Sequence, residues 1–148
     1  LGQGIEAIAV NSATSGLHLA LEALGIGQGD EVIIPSLTFT ASAEVSRYLG
    51  ANVKLVDVNP ITLNIDIEAI RGAITSKTKV IMPVHYAGLS CSMDEILSLA
   101  KEFVLKVECL RGIKPSARSS SAFSTCFSPQ SGVIKKREWI PKGILLVF

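Results

Sequence analysis

The stretch Ala7-Ile-Ala-Val-Asn-Ser-Ala-Thr-Ser-Gly-Leu-His-Leu-Ala-Leu-Glu-Ala-Leu-Gly25, continued by Ile26-Gly-Gln-Gly-Asp-Glu-Val-Ile-Ile-Pro35, reads as strand, helix and strand. Ala7 to Val10 is a short apolar run. It stops at Asn11-Ser-Ala-Thr14, residues whose side chains satisfy the free amides of a helix start. Leu17, Ala20, Leu21 and Leu24 then recur at helical spacing, and Gly25-Ile-Gly-Gln-Gly29 supplies the stop. Glu31-Val-Ile-Ile-Pro35 is apolar at consecutive positions, as a strand covered on both faces must be.

The alternation continues outward to residue 108. Thr40 to Leu49 predicts a helix ending at Gly50, and Val53 to Val58 a strand. Asp66 caps a helix over Ile67 to Ile74, and Lys79 to His85 is the next strand. Ser92-Met-Asp-Glu95 has the form of a capping box opening a helix to Phe103, with a last strand beginning at Val104. Strands joined by helices of about ten residues force parallel crossovers. The fold class is therefore α/β, a mainly parallel sheet with helices on both faces. Ligands of such sheets gather at the carboxyl ends of strands, here the loops after Val10, Ile34, Val58, Val84 and Glu108.

Composition narrows the class. The chain has 148 residues, 48% hydrophobic and 18% charged, and no apolar run nears the ~20 residues of a membrane-spanning helix. It opens on Leu1 without a basic segment leading into an apolar one, which reads as a cut rather than a signal peptide. Cys91, Cys109 and Cys126 form no C-x-x-C pair, so reduced thiols, a cytoplasmic location and no metal site are expected. Residues 1–108 carry 7 basic and 12 acidic side chains, whereas 109–148 carry 7 basic and only Glu138 as an acid. Periodicity stops at the same boundary, and a serine-rich stretch, Ser116 to Ser124, follows. The basic balance there lacks any RNA-binding signature, so a nucleic-acid partner is not expected. Two kinds of sequence are joined: a partial domain over 1–108 and an irregular Ser-rich basic tail over 109–148.

Three loops carry candidate chemistry. In Asn11-Ser-Ala-Thr-Ser-Gly16 free amides and a positive helix end converge, which suits a phosphate with Thr14 and Ser15 as added donors, or else is a plain cap. Phe39 is placed either to lie flat on a planar cofactor ring or to enter the core. His85, before Tyr86-Ala-Gly88, suits acid/base work, contact with a substrate oxygen, or anchoring of its own loop. His18 sits among leucines as a core or surface residue, and Asp57 reads as a turn cap. No G-x-S-x-G elbow is present.

In order and spacing, Asn11-Ser-Ala-Thr-Ser-Gly-Leu-His-Leu-Ala-Leu21, Gly29-Asp-Glu-Val-Ile-Ile-Pro-Ser-Leu-Thr-Phe39, Asp57-Val-Asn-Pro-Ile-Thr-Leu-Asn-Ile-Asp66, Ala73 to Gly88 and Met93-Asp-Glu-Ile96 resemble the DegT/DnrJ/StrS family of nucleotide-sugar aminotransferases. The resemblance covers about residues 4–108. It implies part of a fold-type I large domain and pyridoxal 5'-phosphate as cofactor. It further implies a nucleotide-linked keto sugar and an amino donor, typically glutamate, as substrates, and a homodimer. The Ser-Ala-Thr and His-Tyr-Ala-Gly variants look most like the branch acting on UDP-linked 4-keto sugars. Carried over by position, Thr14 and the Ser15 amide would hold the cofactor phosphate, Phe39 would stack on its ring, and His85 would lie toward the sugar.

The resemblance ends abruptly. Where the family has an aspartate for the pyridinium nitrogen, this chain has Cys109, and a thiol cannot hold that proton as a carboxylate does. Lys135 and Lys136 fall near the interval expected for the Schiff-base lysine, but their surroundings do not match. The expectation is an inactive fragment with a frame-shifted or fused end. The rival reading is a non-catalytic remnant or a phosphate or nucleotide-sugar binding module.

Overall fold

The computed structural model describes residues 6–111, 124–127 and 144–147, with side-chain environments for 9–108. Its elements run β1 (Glu6–Ala9), α1 (Ala13–Ala23), β2 (Glu31–Pro35), α2 (Ala41–Tyr48), β3 (Asn52–Val56), α3 (Ile67–Ala73), β4 (Thr78–Ile81), a 3-10 turn (Tyr86–Gly88), α4 (Met93–Glu102), β5 (Lys106–Arg111), β6 (Ser124–Phe127) and β7 (Ile144–Val147). The strands form one sheet in the order β1-β7-β6-β5-β4-β2-β3. β2 pairs in parallel with β3 and β4, β4 with β5, and β1 with β7, while β6 runs antiparallel to β5 and β7. The stretch read as an irregular tail thus contributes the end of β5 and two further strands. Lys135 and Lys136 lie outside the described residues.

Alternation along β2 divides the core in two. Val32 and Ile34 pack with Leu17, Leu21 and Val45 beneath α1 and α2, whereas Ile33 packs with Ile70, Ile96 and Leu99 beneath α3 and α4. β4 repeats the division, Val80 facing the first group and Ile81 the second. All these residues are buried, and each such side chain contributes about 1.5–3 kcal/mol. Helices therefore cover both faces, as the run of consecutive apolar residues in β2 required.

Four local readings are corrected. The last strand begins at Lys106, not Val104. Val104 has φ 57°, and its amide and that of Leu105 bond back to the carbonyls of Lys101 and Ala100, closing α4 in a turn usually reserved for glycine. The capping box at Ser92 does not close: its side chain makes no cap bond, because ψ is 71° rather than extended. Ser12 (ψ 156°) and Asp66 (ψ 131°) have the extended backbone that aims a side chain at the first turn, and both cap. β4 stops at Ile81 instead of reaching His85, since Pro83 has no amide to continue the ladder. β3 ends at Val56, and Val58 turns away to bridge Ile65.

Candidate functional site

The start of α1 is a knot of short polar side chains. Ser12 Oγ accepts the Ser15 amide at 3.2 Å, the Ser12 and Ser15 hydroxyls are 2.9 Å apart, and Ser15 Oγ donates to Asn11 Oδ1 at 2.8 Å. No acidic residue lies in the first turn. The helix dipole is therefore uncompensated, and the amides of Ala13 and Thr14 have no acceptor within the helix. Thr14 and Ser15 are half-buried at the carboxyl edge of the parallel strands. The Ser15 amide assigned to a phosphate by resemblance is thus held by Ser12, so an incoming anion must exchange with that hydroxyl.

Phe39 is not a core residue. It stands in the loop after β2 with 76% of its surface exposed, and its ring is open to a planar partner. β2 lies between β4 and β3, so the loops after these three strands stand side by side at one edge.

His85 anchors its loop. Its ring is buried, and Nδ1 accepts the Cys91 amide at 3.1 Å. The neutral ring consequently carries its proton on Nε2. Cys91 Sγ donates to the Val84 carbonyl at 3.3 Å, and burial pushes that thiol's pKa up. The loop between contains Ala87 at φ 48° and Gly88 at φ 83°, consecutive left-handed residues. Holding Ala87 there costs about 1–2 kcal/mol, which other bonds must offset.

The residue supplying those bonds, Asn64, escaped the sequence reading. Its carboxamide is buried; Oδ1 accepts the Tyr86 amide at 2.9 Å, and Nδ2 donates to the carbonyls of Leu89 and Ser90, each at 3.2 Å. The only signal was a polar residue between Leu63 and Ile65 in the alternating stretch Ile61-Thr-Leu-Asn-Ile-Asp66. Asp57 is a turn residue as expected, its Oδ1 accepting the Val58 amide. His18 packs edge-on against Tyr48, with ring centroids 5.9 Å apart, tying α1 to α2.

In the central strand β5, Glu108 is completely buried, and neither carboxylate oxygen has a hydrogen-bond partner among the described residues. Desolvation raises its pKa well above the ordinary carboxylate range, so the neutral acid is favoured. Cys109 pairs by backbone register with Cys126. Among the described residues no group of three or more His, Cys, Asp or Glu side chains is placed to hold a metal, and no helix is long and apolar enough to cross a membrane.

The sequence model of the DegT/DnrJ/EryC1/StrS aminotransferase family matches residues 3–108. GDP-perosamine synthase of Caulobacter vibrioides is 54% identical over 101 residues, 68% of this chain and 27% of that protein. NtdA from Bacillus subtilis, solved with bound cofactor PMP, superimposes with a TM-score of 0.62 at 40% identity, over 64% of this chain and 22% of that one. DesV from S. venezuelae, solved in complex with a ketimine intermediate, gives a TM-score of 0.66 at 35% identity, over 81% of this chain and 34% of that one. The chain therefore spans about a quarter to a third of the length of these relatives.

Proposed function

Because this chain belongs to the DegT/DnrJ/EryC1/StrS aminotransferase family, we propose that it is the cofactor-phosphate and crevice-wall portion of a pyridoxal 5'-phosphate-dependent aminotransferase acting on a nucleotide-linked keto sugar. The observation that carries this reading is the start of α1, where the Asn11, Ser12 and Ser15 side chains and unopposed amides meet without an acid in the first turn. A phosphorylated aromatic aldehyde has the chemistry for it, an anion for the helix start and a flat ring for the exposed Phe39 in the loop after β2. Thr14 and Ser15 bind its phosphate, the Ser15 amide leaving Ser12 Oγ for a phosphate oxygen, and Phe39 covers one face of the ring. His85, its proton on Nε2, holds the wall toward the sugar. When bound, the cofactor supplies the electron sink that lets an amino group pass from a donor, typically glutamate, to the sugar carbonyl.

The remaining requirements are not met in matching context. Cys109 occupies the place of the acid that would keep the pyridine nitrogen protonated, and Glu108 beside it is buried and favours its neutral form. Turnover therefore needs the rest of the family's chain and its second copy, and this chain alone binds without turning over. The name of the 54% identical relative points to a GDP-linked sugar, and the sequence variants to a UDP-linked one. The substrate class proposed is accordingly the nucleotide-linked keto sugar.

Pyridoxal 5'-phosphate added to the pure chain tests the reading. Saturable binding displaced by inorganic phosphate supports it. Absence of binding sinks it, and a single lysine labelled in high yield after borohydride reduction, Lys135 or Lys136 included, would show that the chain is a more complete enzyme than proposed.

A further inference from the structure

We propose that Asn64 is the positioning residue for His85, a role that rests on His85 belonging to the crevice wall as proposed above. β3 and β4 are not neighbours: β2 lies between them. The Asn64 carboxamide, in the loop after β3, nevertheless bonds three backbone groups of the loop after β4, so it spans the end of β2, whose own loop carries Phe39. The bonded positions are specific. Tyr86 directly follows His85, and Ser90 directly precedes Cys91, whose amide holds His85 Nδ1. Asn64 thus grips both flanks of the loop closed by the His85–Cys91 bond.

The loop's own bonds leave its middle strained. Ala87 and Gly88 are both left-handed, and the 3-10 turn has two bonds, from the Leu89 amide to the Tyr86 carbonyl at 2.8 Å and from the Gly88 amide to the His85 carbonyl at 3.4 Å. Leu63, just before Asn64, is itself left-handed at φ 58°. That conformation is supported by a bond from its amide to the Asn59 carbonyl at 2.8 Å, and the Asn59 amide donates to the Asn64 carbonyl at 2.9 Å. The turn before Asn64 is fixed by its own chain, so the carboxamide is delivered rigidly, and the loop after β4 takes its shape from it. A carboxamide is required because the contact needs one acceptor and two donors on one planar group. Aspartate keeps the acceptor and loses both donors.

The test uses this chain, with residue-resolved amide exchange and the 15N resonances of the His85 ring. In the wild type the ring should show the Nε2–H tautomer alone, and the Tyr86 and Cys91 amides should be protected. Asn64→Ala should speed exchange at both amides at least tenfold and mix the tautomers, while Ile33 and Ile81 in the sheet and pyridoxal 5'-phosphate binding stay unchanged. Asn64→Asp should separate the two arms: Tyr86 stays protected, Cys91 exchanges faster and the tautomer signal again mixes. An unaltered His85 ring in both variants overturns the proposal. Equal loss of protection across β2 and β4 in both variants also overturns it, showing general core support instead. Failure of the wild type to bind pyridoxal 5'-phosphate would count against the function proposed above and leave the loop measurements readable.

Discussion

The ε-ammonium of Lys106, at the start of β5, donates to the carbonyl of Leu24 at the end of α1, 2.5 Å away and 82 residues distant in sequence. A cation at a helix carboxyl end opposes the negative end of the dipole and satisfies an otherwise orphaned carbonyl. Burial lowers the Lys106 pKa, while Asp30 pulls it upward. The folded chain therefore binds fewer protons than the unfolded one just below the ordinary lysine value, and stability gains from this group as pH rises through that window. Lys106→Met should lose about 1 kcal/mol at neutral pH, read as a lower urea midpoint, and should abolish the alkaline gain. An unchanged midpoint would show the contact to be idle.

Glu108 titrates in the opposite sense. Its folded pKa is raised, so above the ordinary carboxylate value the folded state retains a proton that the unfolded state has lost. Stability from this group is complete below that value and falls as pH rises, levelling only once the raised folded value is passed. Each tenfold displacement of proton affinity is worth about 1.4 kcal/mol. Glu108→Gln should leave stability near pH 4 almost unchanged and raise it at pH 8. Parallel pH profiles for variant and wild type would refute this.

At the start of α1 two substitutions should separate anion binding from helix capping. Thr14→Val removes the hydroxyl proposed as a donor to the phosphate and should weaken pyridoxal 5'-phosphate or inorganic phosphate binding by about 1–2 kcal/mol in titration calorimetry. Ser12→Ala removes the cap bond to the Ser15 amide and should cost about 1 kcal/mol of stability. It also releases that amide, so anion affinity should hold or rise. Equal loss of affinity in both variants would mean that Ser12, not Thr14, faces the anion.

Val104 closes α4 in a conformation that disfavours a β-branched side chain, and 70% of its surface is exposed, so it repays little by packing. Val104→Gly should stabilise the chain by about 1 kcal/mol, the relief of left-handed strain less glycine's entropy in the unfolded state. Thermal or urea unfolding decides the sign, and destabilisation would show that the valine methyls carry more packing than their exposure indicates.

The sequence by itself determined the parallel α/β alternation through residue 108, because apolar periodicity and the caps at Ser12 and Asp66 act over a few residues and need no distant partner. Thr14 and Ser15 were legible as a candidate anion site for the same reason: a helix start is local chemistry. Only the tertiary structure decided that Phe39 is exposed, that His85 anchors a loop, and that Glu108 is sealed with no hydrogen-bond partner among the described residues. It also decided the reach of Asn64 over the end of β2 and of Lys106 to Leu24, contacts between residues that no short-range pattern couples. Burial and hydrogen bonding at such positions follow from which strands become neighbours, and the order that sets β2 between β3 and β4 exists only once the chain has folded.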